Sequence, residues 1–183
     1  MLFTSTSQTK SSGFRPLSSK DVSSTKTFRF EAGHRVWKQN LTCGRGAELT
    51  LGKEVPVNKC VNLHGHSYLL EVVIGSNVLS EQEMVLDFYH VKNALKDLID
   101  TIDHSFIIDV KDPMYEELKT VAEKYGALKI FPVDFCPTAE ALAKFFYDFL
   151  VEKLSQVGLL GEVKVVKVVL WETATSKAEY YGE

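Results

Sequence analysis

HGHSYLLEVVIG, residues 64–75, is the stretch on which the reading of this chain turns. His64, His66, Tyr68, Leu70, Val72 and Ile74 fall at every second position, the spacing at which side chains share one face of a strand. The stretch therefore predicts a β-strand whose later residues are buried and whose first residues present two imidazoles on that same side. Gly65 between them leaves the opposite side bare. Two histidines so placed are either prepositioned metal ligands or a hydrogen-bonded feature of a surface or core.

Upstream, TKTFRFEAGHRVW (25–37) alternates in the same way, with Phe28, Phe30, Ala32 and His34 on one side and Arg29 and Glu31 on the other. If the two strands are antiparallel neighbours, His34 meets His64 and His66 and supplies a third ligand. A catalytic zinc takes three protein ligands and leaves a fourth position for water or substrate. Residues 38–59 join the two strands and carry Gly44, Gly46, Gly52 and Pro56 among polar residues, the composition of a long surface loop. Cys60 closes that loop, four residues before His64. Beside a divalent cation its thiol is a ligand, a base or a nucleophile; away from one it is a small buried apolar group. Cys43 and Cys136 have no polar cluster beside them and read as packing or loop residues.

Downstream, MVLDF (84–88) is a short apolar run, read as a possible strand, that leads into a helix with Val91, Leu95, Leu98, Ile99 and Ile102 at helical spacing. A second helix is expected over DPMYEELKTVAEKYG, with Asp112 as N-cap, Pro113 at its first position and Gly126 as its stop. A third is expected from Thr138, its N-cap, to Leu154, burying Leu142, Phe145, Phe146, Phe149 and Leu150. Residues 163–173 and 177–181 form a closing hairpin. Strand pairs separated by helices predict an α+β fold, an antiparallel sheet with helices packed on one face. Asp103 and His104 are adjacent just past the first helix, where the carboxylate either orients the imidazole or both are solvated. Glu172 ends an apolar strand, and its carboxylate is either paired or in solvent.

A chain of 183 residues, 45% hydrophobic, is of one-domain size. The domain is expected over 26–183, with residues 1–25 a flexible Ser/Thr-rich tail or, alternatively, an organelle transit peptide. A net charge of −3 argues against a nucleic-acid partner, and no apolar run approaches the roughly 20 residues of a membrane span. Three cysteines without a CxxC pair suit a reducing, cytoplasmic setting.

FEAGHR (30–35), CVNLHGHSY (60–68), MVLDF (84–88), IDHSF (102–106), PTAEALA (137–143) and VVLWET (168–173) follow one another in an order that resembles the 6-pyruvoyltetrahydropterin synthase family. The resemblance covers about residues 27–182, and the spacing of Cys60 to His64 is most like the bacterial branch that makes 6-carboxytetrahydropterin for queuosine and other deazapurines. It implies a T-fold whose subunits join through their sheets into a β-barrel, as a homo-oligomer, trimer or hexamer, with sites at subunit interfaces. It implies Zn2+ on His34, His64 and His66, Cys60 as general base with Asp103 and His104 as relay, and Glu172 and Thr138 on the pterin. The implied reaction is a lyase conversion of 7,8-dihydroneopterin triphosphate to 6-carboxy-5,6,7,8-tetrahydropterin, acetaldehyde and triphosphate. Alternatives are triphosphate elimination to the 6-pyruvoyl product, or pterin or metal binding without turnover. Arg35, Lys53 and Lys59 are candidates for the triphosphate. Three departures stand out: the long 38–59 connection, Ser105 where many bacterial relatives carry a second histidine, and Ala139 in place of a hydroxyl residue.

Overall fold

The computed structural model describes residues 21–54 and 58–182. Among these, six strands form one sheet: β1 (Val22–His34), β2 (His64–Ser76), β3 (Ser105–Asp109), β4 (Ile130–Val133), β5 (Lys164–Thr173) and β6 (Ser176–Tyr180). The helices are α1 (Phe88–Ile102), α2 (Tyr115–Tyr125) and α3 (Ala139–Gln156), and the strand order is β4-β3-β1-β2-β5-β6. β1, β2, β5 and β6 pair antiparallel, as their alternation predicts. The sheet as a whole is mixed, because β3 runs parallel to β1 and β4 parallel to β3.

The period-two pattern sets the inner face. Phe30, Ala32, Tyr68, Leu70, Val72, Ile74, Val168 and Leu170 are buried there, under α1 and α3. Each fully buried large side chain contributes about 1.5–3 kcal/mol. α1 buries the five residues expected of it, with the Asp87 side chain capping its first turn by accepting from the Tyr89 N–H. The run at 84–88 is therefore a helix entry and not a strand. α3 is capped by Thr138, whose hydroxyl accepts from the Ala141 N–H; Phe145 and Phe149 are only half-buried, and Ala143 and Leu154 fill the core in their stead.

Two other boundaries move. α2 has Met114 at its N-cap; Asp112 lies before it, buried, accepting from the Met114 N–H and paired with Arg35. β1 begins at Val22, inside the stretch expected as tail, while residues 1–20 lie outside the described ones. Among the described residues no helix is long and apolar enough to cross a membrane.

Register decides the site. β1 and β2 pair along their whole length, ending in Ala32 with His66 and His34 with His64. β3 joins the other side of β1 only over Ala32–His34. Gly33 faces β3 so closely that a Cβ there would lie 2.6 Å from the Phe106 ring.

Candidate metal centre and active site

His34, His64 and His66 meet at the end of the β1/β2 ladder, each offering one ring nitrogen, all within 4.8 Å of one another. Ring centroids are 4.5 Å apart for His34–His64, 5.1 Å for His34–His66 and 5.0 Å for His64–His66. The strand spacing that predicts the HxH pair and the facing that predicts His34 thus converge on one point.

Two of the rings have their tautomers fixed. His34 Nδ1 lies 2.7 Å from the Pro137 carbonyl and His64 Nδ1 2.8 Å from the Asn62 carbonyl. A carbonyl only accepts, so Nδ1 carries the hydrogen and Nε2 presents a lone pair. His34 Nε2 and His66 Nε2 are buried without a hydrogen-bond partner, a state that costs about 1–3 kcal/mol per polar atom unless something fills it. Burial pushes His34 down to about 4 against an upward pull from the Pro137 carbonyl, with the His64 and His66 imidazoles adding to the lowering. His66 is also lowered, mainly by burial, with Glu172 pulling it up. Neutral imidazoles with inward lone pairs suit a first-row divalent cation.

Glu172 reaches the same place from β5. Val168, Leu170 and Glu172 share a face by period two, and the β5/β6 register shifts between Trp171 and Thr173, leaving Glu172 out of the ladder, a bulge that re-aims its side chain. Its Oε1 is 3.4 Å from His34 Nε2 and 3.9 Å from His66 Nε2. Below it, Tyr68 is buried, edge-on to His34 and His66, with its hydroxyl unpartnered and its pKa raised by burial and then by Glu172.

Cys60 stands apart from the three nitrogens, half-buried in a short 3-10 turn, Lys59–Val61. Its N–H donates to Gln39 Oε1 (3.0 Å) and its carbonyl accepts from Val36 N–H (2.7 Å), closing the neck of the 38–59 loop. The Asp103–His104 pair forms as drawn from sequence, with His104 Nδ1 2.8 Å from Asp103 Oδ2. It is not brought into the histidine group. Asp103 Oδ1 accepts from the Glu31 N–H and the His104 N–H donates to the Glu31 carbonyl, so the turn clips onto β1. His104 adopts φ 56°, the left-handed region, and its side chain is 76% exposed. The Glu31 hydrogen bond first, and then His104, hold the Asp103 carboxyl below its usual range. Thr138 follows Pro137, whose carbonyl holds His34, and spends its hydroxyl as the α3 cap.

Arg35 is committed elsewhere: Nε lies 3.0 Å from buried Asp112 Oδ2, and Nη1 contacts the Met114 sulfur. It is a structural ion pair, not a free cation for a phosphate. Sequence reading took Asp112 for a helix cap and missed its pairing with Arg35; it also missed Asp109 (buried, accepting from Trp37 Nε1 at 3.0 Å) and the two orienting carbonyls. Backbone carbonyls leave no residue signature; the acids between apolar β3 and α2 were the available signal.

The model of the 6-pyruvoyl tetrahydropterin synthase family matches residues 23–183, and the chain belongs to that family, as an enzyme of the lyase class. Within it, the chain is 81% identical over 159 residues to the 6-carboxy-5,6,7,8-tetrahydropterin synthase of Aquifex aeolicus, a match covering 87% of this chain and 97% of the relative. Among solved structures, an uncharacterised protein from Wolinella succinogenes aligns with a TM-score of 0.72 at 30% identity, covering 89% of this chain and 99% of the other. The Caenorhabditis elegans 6-pyruvoyl tetrahydropterin synthase shares the fold, with a TM-score of 0.57 at 22% identity over 89% of this chain and 96% of its own.

Proposed function

We propose that the protein is a zinc-dependent synthase that converts 7,8-dihydroneopterin triphosphate to 6-carboxy-5,6,7,8-tetrahydropterin, releasing acetaldehyde and triphosphate. The observation that carries this reading is the convergence of three imidazoles, two of them with buried Nε2 atoms that have no hydrogen-bond partner, in a chain so similar to a relative of that name. His34, His64 and His66 would hold zinc, whose Lewis acidity would acidify the substrate side chain at its oxygen-bearing carbons. Cys60 takes the proton from that side chain. His104, its Nδ1–H held by Asp103, returns a proton from Nε2. Glu172 accepts the paired N–H donors of the amino-pyrimidinone edge, with Thr138 beside it. We assign the product to the queuosine route in the cytoplasm.

We infer further that the working unit is a homo-oligomer, trimer or hexamer, in which His104 serves a neighbouring chain's centre. Support comes from the exposure of His104 away from its own chain's histidines. It comes also from the outer edge of β1 over 22–30, which no described strand pairs, and from the edge of β6, likewise without a described strand beside it. Two different edges suit head-to-tail closure into a ring.

The test is incubation with dihydroneopterin triphosphate, with and without a zinc chelator, reading products by mass. Carboxytetrahydropterin and acetaldehyde that vanish with chelator are expected. A pyruvoyl product without acetaldehyde overturns the branch, and no turnover overturns the enzyme reading.

A further inference from the structure

We propose that Glu172 is a displaceable fourth ligand of the metal centre, which its carboxylate closes until the ring edge of an entering pterin draws that carboxylate away. This rests on the reading above and adds a second station to a residue that reading places on the substrate alone.

The contact geometry asks for it. Glu172 Oε1 lies 3.4 Å from His34 Nε2 and 3.9 Å from His66 Nε2, and neither nitrogen has a hydrogen-bond partner. A carboxylate oxygen carries only lone pairs, and His34, with its hydrogen on Nδ1 toward Pro137, presents a lone pair as well. Lone pairs repel unless a positive centre lies between them. A shared proton would draw the heavy atoms to about 2.7–2.9 Å. Ligand bonds of about 2.0–2.1 Å in a tetrahedron instead leave donors about 3.3 Å apart, which the 3.4 Å to His34 matches and the 3.9 Å to His66 exceeds.

Position makes the carboxylate the one that can leave. His34 and His64 are pinned through their Nδ1 atoms by main-chain carbonyls, and His34 is fully buried. Glu172 is 25% exposed, sits outside the strand ladder at a bulge, and approaches two of the three nitrogens. Its carboxylate sits on a flexible side chain. Two parallel N–H donors on a pterin edge offer it a bidentate partner, and taking them vacates the position at which the substrate's own oxygens must bind. A ligand lacking that edge leaves the centre shut.

The test uses Co2+ in place of the native ion and 6-methylpterin, which has the ring edge but no side-chain hydroxyl and no phosphate. The visible spectrum of the cobalt-loaded protein should shift on saturation with 6-methylpterin. Glu172→Ala and Glu172→Gln, both verified as folded by circular dichroism, should show a changed spectrum without addition, respond little to the pterin, and hold cobalt about tenfold more weakly in competition with a chromogenic chelator. If Glu172→Ala keeps the wild-type spectrum and cobalt affinity while His64→Ala releases the ion, Glu172 is no ligand, and the zinc-synthase reading survives. If 6-methylpterin shifts the Glu172→Ala spectrum as much as the wild-type one, displacement is refuted. A wild-type chain that takes up no cobalt defeats both.

Discussion

The histidine wall and the Asp103–His104 turn are both tied to β1, three residues apart, and they are built to opposite ends. At the wall, three imidazoles converge, His34 buried and His64 and His66 half-buried, and the Nε2 atoms of His34 and His66 have no hydrogen-bond partner. At the turn, the imidazole is satisfied on one nitrogen by its neighbour and stands in solvent. Under the proposed function the first region would hold the ion, and the second would give a proton to a neighbouring chain's centre.

Substitutions can separate the two. His64→Ala should remove stoichiometric metal, measured by atomic emission, and drop kcat/KM by on the order of 10³-fold or more. Cys60→Ala and His104→Ala should each retain metal and lose about 10²–10⁴-fold in kcat, the range of a general acid or base. Co-refolding those two inactive variants should restore part of the activity if the turn serves another chain's centre; a mixture as inactive as its parts breaks the comparison. A smaller effect is the pH response of the metal-free protein. His34 titrates near 4 in the fold against 6.5 unfolded, so the unfolded chain binds the extra proton between those values. Stability should therefore fall as pH drops from about 6.5 to 4, by on the order of 3 kcal/mol, and this group adds no further loss below. Urea titrations across that range check it. Smallest is Thr138→Ala, which removes the α3 cap at a cost of about 1 kcal/mol, visible in thermal melts while metal content stays unchanged.

Much of the wall was legible because strand periodicity is a local signal. Phe28 to His34 and His64 to Ile74 declare their faces within a few residues, and antiparallel neighbours then bring the imidazoles together. β3 and β4 were not legible, since strands of five and four residues are too short to show alternation, and their parallel pairing joins distant segments. Glu172 falls between these cases. Its face follows from Val168 and Leu170, whereas its nearness to His34 depends on β5 lying beside β2 and on a one-residue register shift that no composition announces.

The neck of the β1–β2 connection carries a different lesson. Val36 and Cys60 are joined by main-chain hydrogen bonding, and Gln39 reaches Cys60 from the same side. With the crossing stitched there, the distance from His34 to His64 is set by the ladder and the neck, not by what lies between Asn40 and Asn58. Loop-closure cost grows only slowly with length. Lengthening or shortening that segment is therefore expected to leave the spacing of His34 and His64 in place.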